Sequence, residues 1–421
     1  MGNTVSAYGA LLGLLLTIGL ILKKVQPTYA MIIGAIVGGL IGGVSLERSI
    51  GFMITGIPSI VPAVIRVITA GVLVGTLIES GAAERIALTI IDKLGHERCL
   101  VALMLSTWAL TAIGVFGDVA CLAVAPIAIQ VSERTGFKKM GVLMAMIGGV
   151  KAGGAISPNP NTIAAAETFK IPLTSLMLTG FAASLTALVA TTFLSKYLAH
   201  KGSSFPHIDP LETSKVLPSL WSSLFGPGVA ILLLLLRPIV GINVDPLVAL
   251  PLGGFTGMIA MGKFKHATTF LSVGMQKMSG VAMLILGTGT LAGIISNSNL
   301  KDVVISGIET AGLPAFMLAP IAGMFMGAAT ASATAGATLG SQIFGHTIIA
   351  GGVSSLAGAT MVNAGSLVFD GLPQGPFFHV SAKSVDMDIK ERLKVLGFEI
   401  LNGLAMVTVS TLLFGALHLA G

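Results

Sequence analysis

The chain has 421 residues, of which 54% are hydrophobic and 10% are charged, and its formal net charge is +6. Soluble globular proteins carry about 25% charged residues, so this composition excludes a large soluble domain and indicates an integral membrane protein. Nucleic-acid binding has no support, because no basic run is interleaved with aromatic residues, and the positive charge is better explained by loops that stay in the cytoplasm.

The first half of the chain is predicted to contain two plain membrane spans, a re-entrant hairpin, two broken helices and a closing span. The hairpin is inferred from an apolar stretch whose two arms are each too short to cross a bilayer, with its tip at Glu79, Ser80 and Gly81. In chain order these elements are predicted at 7–22, 29–44, about 60–94, 100–131, about 140–166 and 171–198.

Residues 148–162 carry the strongest signal for a break inside a membrane helix. Pro158 and Pro160 remove amide donors and push the residues before them out of helical geometry, and several glycines lower the helix propensity further. Irregular backbone is tolerated at membrane depth only where it is buried in protein or lines a wet cavity. The segment is therefore predicted to form a binding site for a small polar solute.

A polar segment at 199–218 is predicted to be a cytoplasmic linker between repeat 1–198 and repeat 219–421. The second half repeats the order of the first, with spans at 220–240 and 248–261, a hairpin at about 281–312, broken helices at 313–344 and about 356–380, and a closing span at 395–419. Gly71-Val72-Leu73-Val74-Gly75 also matches Gly289-Thr290-Leu291-Ala292-Gly293. We therefore predict an all-α polytopic membrane protein built from two inverted-topology repeats, with the binding site at their interface.

The distribution of lysine and arginine predicts the orientation. With both termini on the periplasmic side of a bacterial cytoplasmic membrane, most basic residues fall in cytoplasmic loops, as the positive-inside rule requires. Four basic residues remain on the outer side in this assignment: Arg48, Lys93, Arg98 and Lys170.

Three segments together carry a family resemblance: Ser157-Pro158-Asn159-Pro160-Asn161, Gly365-Ser366-Leu367-Val368-Phe369-Asp370, and the amphipathic run 386–394. On these the chain resembles the gluconate permease family of the ion transporter superfamily over nearly its whole length. The resemblance implies a homodimer, a scaffold domain and a transport domain in each protomer, elevator-type alternating access, and import of a small sugar acid by proton symport. Lys151 and the Asn-Pro-Asn order differ from the gluconate-type pattern, which favours a shorter hydroxy acid such as glycerate.

A transported carboxylate has to be compensated by helix N-termini, amide donors and hydroxyls, sometimes with one cation. Lys151 is the predicted counter-ion, and the alternative is a lysine that reaches back to the membrane interface. The other predicted substrate contacts come from the hairpin tips and the broken helices: Ser80, Gly81, Ser157, Asn159, Asn161, Thr162, Ser296, Asn297, Ser298, Asn363, Ser366 and Gln374.

Acidic residues inside a membrane are costly and usually mark an ion path, so Asp118 and Asp370, at comparable helix breaks, are candidates for proton coupling. Either could instead pair statically with the lysine of the break. Glu79 is a third candidate, and His379 is a fourth because histidine titrates near physiological pH. Arg66 is expected either to pair with Glu79 or Glu84 or to contact the substrate. Glu399 and Arg237 are expected near span ends, without a role.

Sodium coupling is the alternative to proton coupling. Thr330, Ser332 and Thr334 lie in a predicted break, where hydroxyls and unwound carbonyls suit sodium, although small hydroxylated residues also serve helix packing. An anion channel is less favoured, because no single pore-lining ring is repeated. No metal-ligand set, nucleophile–base set or nucleotide-binding loop is present, so neither an enzyme nor a bound cofactor is expected.

Overall fold

The computed structural model describes residues 4–58, 60–95, 98–205, 217–310, 312, 314–373 and 375–419, except for the side chains of 131, 133, 134, 301, 304, 305, 308 and 309. These residues form helices and no β-strand; a lone bridge joins Val5 to Ser298. The helices are α1 (Ala7–Leu22), α2 (Pro27–Ile41), α3 (Leu46–Gly56), α4 (Val61–Glu79), α5 (Ala82–Leu94), α6 (Cys99–Ala112), α7 (Gly117–Thr135), α8 (Lys139–Gly154), α9 (Pro160–Thr168), α10 (Leu173–Leu198), α11 (Leu220–Val240), α12 (Pro246–Ala260), α13 (Ala267–Ser296), α14 (Leu300–Thr310), α15 (Leu318–Thr330), α16 (Ala333–Ala350), α17 (Ser355–Ser366), α18 (Pro376–Ser384) and α19 (Ile389–Ser410). Most of the predicted linker, 206–216, lies outside the described residues.

The helices pack into two groups. The crossing bundle contains α1–α4 and α11–α13, and the broken-helix bundle contains α6–α10 and α15–α19. The amphipathic helices α5 and α14 connect the groups and contact helices of both. Within the described residues, five helical segments are long and apolar enough to span a membrane: Val61–Glu79, Leu173–Leu198, Leu220–Val240, Phe264–Ser296 and Ile389–Ala416.

Equivalent helices of the two halves make equivalent contacts. The glycine pairs noticed in the sequence lie where α4 and α13 approach a neighbouring helix backbone to backbone. A Cβ added at Gly75 would lie 2.1 Å from the Phe270 carbonyl oxygen, and one added at Gly293 would lie 2.1 Å from the Phe52 carbonyl oxygen. Small residues permit such close packing in membranes. The same reciprocal packing between the two halves occurs in the broken-helix bundle. There α9 of the first half packs on α16 of the second, and α18 of the second half packs on α7 of the first.

The helical hairpins differ from the prediction. The first arms of the predicted re-entrant hairpins at 60–94 and 281–312 belong to α4 and to the second half of α13. These helices have 19 and 30 residues, are long enough to cross a membrane and pack against each other. The stretches 100–131 and 313–344, predicted as broken helices, instead turn back on themselves. In them α6 packs along α7 and α15 packs along α16, with short links between. Glycine and polar residues signal a break, but the chain can reverse or continue there.

The other two breaks separate α8 from α9 and α17 from α18, within the stretches predicted at about 140–166 and 356–380. Pro160 and Pro376 each stand at the first position of the second helix, where a missing amide hydrogen costs nothing. The breaks and the hairpin tips together bring irregular backbone into the interior of the protein.

Candidate functional site

A cavity of about 470 Å³ lies between the crossing bundle and the broken-helix bundle. Among the described residues, its wall includes the first turns of four helices, α7, α9, α16 and α18, which belong to both halves of the chain. The crossing bundle contributes the start of α2, at Gln26, Pro27 and Thr28, and the middle of α13. The site is therefore assembled at the junction of two hairpin tips and two helix breaks.

Helix N-termini present unpaired amide donors and positive partial charge, and they favour anions. The start of α9 is capped by Asn159, and the start of α16 is capped by Ser332, whose side-chain oxygens accept bonds from helix amides. The starts of α7 and α18, which contact each other, have no side-chain cap. Their amide donors, like those at the uncapped start of α2, are therefore available to an anionic group of a solute.

Two charged side chains face each other across the cavity. Lys277 extends from α13 of the crossing bundle, and Asp118 from the first turn of α7 in the broken-helix bundle. Lys277 Nζ lies 3.9 Å from Asp118 Oδ2, and the two side chains are 40% and 37% exposed. Lys277 was not among the residues predicted for the site, although a lone lysine amid apolar residues was a usable signal.

Asparagines link the two helix breaks. Asn161 Nδ2 donates to Asn363 Oδ1 at 2.9 Å and to the Gly154 carbonyl oxygen at 3.3 Å, and Asn363 Nδ2 donates to the Ala155 carbonyl oxygen at 3.4 Å. These bonds satisfy carbonyls that the interrupted helix α8 leaves unpaired. Asn161 also lines the cavity, so the same residue holds the break and meets the solute space.

The other predicted contacts in these breaks are buried. Thr162 Oγ1 donates to the Ser157 carbonyl oxygen, and Ser366 Oγ donates to the Asn363 carbonyl oxygen at 2.8 Å. Ser157 Oγ is buried and has no hydrogen-bond partner.

Thr330, Ser332 and Thr334 line the cavity at the α15–α16 tip, where Ala331 has a φ of +47°.

Lys151 does not face the cavity. Its side chain is fully buried, and its ammonium group contacts Asp370 Oδ1 and donates to the Leu367 carbonyl oxygen. It also lies 3.4 Å from Glu399 Oε1. The structure thus shows the alternative in which Lys151 pairs with Asp370, rather than a counter-ion open to solute or a lysine at the interface. Asp370 itself lines the cavity.

Glu399 and Arg392 extend this buried cluster. They stand seven positions apart on α19, which places them on one helix face, and Arg392 Nη2 donates to Glu399 Oε2 at 2.6 Å. Both side chains are fully buried. The expectation that Glu399 lies near a span end is wrong, because it sits in the middle of α19. The pair of opposite charges at helical spacing in a membrane span was the available signal.

The structure places the remaining predicted residues away from the cavity. Glu79, Ser80 and Gly81 end α4, where the Ser80 carbonyl oxygen accepts a 2.7 Å bond from Lys263 Nζ. Ser296, Asn297 and Ser298 end α13 beside the N-terminal segment, and Val5 N donates to the Asn297 carbonyl oxygen at 2.9 Å. These turns connect the bundles, so they cannot close on the solute space as predicted. His379 is exposed, and its Nε2 lies 2.8 Å from the Pro373 carbonyl oxygen. Gln374 lies outside the described residues.

Arg66 pairs with residues other than Glu79. It makes two bonds to the Asp245 carboxylate, at 2.9 and 2.7 Å, and an ion pair with Glu167. The guanidinium group holds the pKa of Asp245 below its usual range, chiefly through these hydrogen bonds. Asp245 caps α12 and Glu167 lies near the end of α9. This cluster, which we call the outer latch, joins the two bundles at a distance from the cavity.

Comparisons with known proteins place the chain among permeases. Residues 5–417 match the GntP family permease model. The chain is 54% identical over 415 residues to an uncharacterized transporter of Haemophilus influenzae, covering 98% of this chain and 99% of that protein. It is 24% identical over 426 residues to a gluconate permease of Pseudomonas aeruginosa, covering 93% and 94%. It is 26% identical over 237 residues to the Gnt-II system L-idonate transporter of Escherichia coli, covering 54% and 52%.

The fold also resembles a solved transporter. The YdaH transporter of Alcanivorax borkumensis superposes with a TM-score of 0.63 at 14% sequence identity, over 88% of each chain. At this identity the likeness concerns the fold alone, which in both cases is that of a membrane transporter.

Proposed function

This chain belongs to the GntP family of permeases, and from that premise we propose that it imports a small hydroxycarboxylate by proton symport. The chain is a multi-pass membrane transporter and not an enzyme. Glycerate or a gluconate-like sugar acid is the proposed substrate class. The names of the relatives, a gluconate permease and an L-idonate transporter, support a sugar-acid chemistry.

One observation carries the proposal for an anionic substrate. The uncapped starts of α7 and α18 meet at one cavity that also contains the ammonium group of Lys277. We propose that the substrate carboxylate lies at these helix starts and contacts Lys277, while Asn159, Asn161 and Ser332 bind its hydroxyls. Amide donors and one cation replace the water that the carboxylate loses. The cavity volume of about 470 Å³ suits a small polyol acid.

The proposed orientation keeps both termini on the periplasmic side of a bacterial cytoplasmic membrane. If α4 crosses fully, α5 lies on the cytoplasmic side, and Lys93 and Arg98 move there from the outer side. The positive-inside rule is then better satisfied than with a re-entrant hairpin at 60–94. In this orientation the α6–α7 hairpin enters from the cytoplasm and the α15–α16 hairpin enters from outside, as inverted repeats require.

We further propose elevator-type alternating access in a homodimer, with the crossing bundle as the scaffold domain and the broken-helix bundle as the transport domain. Helices at equivalent positions in the two halves pack reciprocally against each other, and this supports inverted repeats. With the proposed orientation, the cavity opens beside the cytoplasmic start of α2, and the outer latch closes the opposite side between Arg66 and Glu167. This arrangement corresponds to an inward-facing state.

We propose that protons are coupled through acidic residues at the cavity. Asp370 and Asp118 are the candidates that line it. Sodium is the second candidate, because Thr330, Ser332 and Thr334 offer neutral oxygens beside the unwound Ala331. Neutral oxygens of this kind suit sodium better than protons.

Uptake into proteoliposomes tests the function. Labelled glycerate and gluconate are offered with an acidic exterior, with an external sodium excess, or with neither gradient. We expect accumulation of one of these acids driven by the pH gradient and abolished by a protonophore. Accumulation with sodium alone would establish the second candidate. Flux of the acid down its own concentration gradient, without accumulation under either the pH gradient or the sodium gradient, would reject symport and indicate a channel.

A further inference from the structure

We propose that Lys151, Asp370 and Glu399 form a charge-balance switch in which one proton taken up by Asp370 offsets the charge of one substrate carboxylate. In this switch the ammonium group of Lys151 passes from Asp370 to Glu399. The inference rests on the proposed symport and names the groups that couple it.

The charges of the buried cluster sum to zero. Lys151 and Arg392 supply two positive charges, and Asp370 and Glu399 supply two negative ones. All four are buried, so any additional charge beside them is strongly disfavoured unless it is compensated. A substrate carboxylate in the cavity would be such a charge, because Asp370 lines that cavity. Protonation of Asp370 leaves the cluster with one excess positive charge, which the carboxylate balances.

The geometry provides the lysine with a second acceptor. Glu399 Oε1 is buried and has no hydrogen-bond partner, yet it lies only 3.4 Å from Lys151 Nζ. Its other oxygen is held by Arg392 at 2.6 Å. The Glu399 carboxylate fills the space that a side chain would occupy at Gly371, where a Cβ would lie 1.9 Å from Glu399 Oε1. An ammonium group released by Asp370 can therefore move to a carboxylate oxygen that is already oriented.

The switch also reaches the backbone that forms the binding site. Lys151 donates to the carbonyl oxygen of Leu367, and Asp370 lies in the same break between α17 and α18. The start of α18 is one of the uncapped helix N-termini at the cavity. Loss of the Lys151–Asp370 contact thus acts on the element that is proposed to bind the carboxylate.

The charged groups around Asp370 come from several elements. Lys151 faces it from α8 and Glu399 from α19, with Arg392 behind. Across the same cavity stand Asp118 on α7 and Lys277 on α13. Asp118 and Lys277 are half-exposed and pair with each other. The charge left unbalanced when Asp370 is protonated therefore falls on Lys151 and its two carboxylates.

Asp370→Asn tests the switch because it mimics the protonated acid permanently. Reconstituted protein is compared in two assays: exchange of labelled for unlabelled substrate at equal concentration on both sides, and accumulation driven by a pH gradient. We expect exchange within about threefold of the original protein and independent of pH, with accumulation reduced at least about tenfold. The matched control is Asp386→Asn, which removes the partner of Lys139, a second lysine on α8 that lies outside the cavity.

Two further measurements keep the test decisive. Glu399→Gln removes the negative charge of the second acceptor, so we expect the pH for half-maximal uptake to fall by about 1 unit, because the lysine then favours ionised Asp370. If Asp370→Asn is not recovered as folded protein, the double change Lys151→Met with Asp370→Asn removes both charges and leaves the cluster neutral. The same charge balance then predicts loss of exchange as well as accumulation, and retained exchange would reject the switch. The original protein should also accumulate substrate without stimulation by an inside-negative potential, since one proton and one carboxylate carry no net charge.

The outcomes separate the two proposals. If the original protein accumulates substrate under a pH gradient and Asp370→Asn does so equally, with the same pH profile, the pair with Lys151 is static and the switch is rejected. Stimulation by an inside-negative potential would likewise overturn the balance of one proton for one carboxylate. Failure of the original protein to use a pH gradient would instead reject the proposed proton symport.

Discussion

Replacement of Lys277 by methionine is expected to weaken substrate binding while leaving the fold intact. The side chain lies in the cavity at the middle of α13, is 40% exposed, and has Asp118 as its neighbour at 3.9 Å. Methionine keeps most of the length and the helix propensity of lysine but has no ammonium group. Lys277→Met therefore isolates the electrostatic contribution of this side chain.

The size of the effect follows from the position of the charge. Two unit charges about 4 Å apart attract by about 1 kcal/mol in bulk water and about 4 kcal/mol where the effective dielectric constant is about 20. A partly exposed cavity lies between these limits, so we expect a loss of about 1–3 kcal/mol. This corresponds to a dissociation constant about 5- to 150-fold higher for the carboxylate.

Titration calorimetry with purified protein measures the dissociation constant. Glycerate is compared with glyceramide, which has the same hydroxyls and no charge. Lys277→Met should weaken glycerate only, Lys277→Arg should retain most of the affinity, and Asp118→Asn should shift it in the opposite direction, because a competing carboxylate has been removed. Lys265→Met, which changes an exposed lysine outside the cavity, is the matched control.

Two results would refute this reasoning. Unchanged glycerate affinity in Lys277→Met would mean that the substrate carboxylate is bound elsewhere in the protein. Equal weakening of glycerate and glyceramide would mean that the lysine shapes the cavity rather than neutralising the carboxylate.

Three other changes test the packing around the site. Gly75→Ala should cost about 1–3 kcal/mol and lower the melting temperature in detergent, because its Cβ would lie 2.1 Å from a backbone oxygen, whereas Gly19→Ala has open space and should be neutral or stabilising. Glu167→Gln removes one partner of Arg66 in the outer latch. The pair is partly exposed and worth about 1 kcal/mol, so labelling of a cysteine at that side by an impermeant reagent should rise about fivefold, and unchanged labelling would contradict the latch. Arg392→Met leaves a buried carboxylate unpaired and should cost about 3–5 kcal/mol; melting like that of the Gly19 variant would contradict this.

Much of the fold could be predicted because it depends on local chemistry. Proline, glycine and small polar residues mark the breaks before Pro160 and Pro376, since these residue types cannot maintain a membrane helix without interruption. The matching glycine pairs in α4 and α13 supported the prediction of two repeats, and in the structure both lie against neighbouring backbone. The family resemblance, carried by short motifs along the chain, is confirmed by the family match.

The direction of the chain at each break was decided by tertiary structure. Loss of helical hydrogen bonds is a local property, but whether the next helix continues or turns back depends on what it packs against. The links between α6 and α7 and between α15 and α16 reverse, whereas α4 and α13 extend as full-length helices. For this reason the hairpin tips at the cavity are Gly114–Phe116 and Ala331, rather than Ser80 and Ser298.

The partners of the buried charges also could not be predicted from the sequence. An ionised group in a membrane needs a partner, and on this ground Lys151 and Asp370 were predicted to belong to the site. The sequence could not show that α19 brings Glu399 to the same lysine, or that α13 turns Lys277 toward Asp118. Local residue types determine which charges must be compensated, but helices distant in the chain supply the compensating groups, and only their packing decides which lysine is enclosed and which one faces the solute.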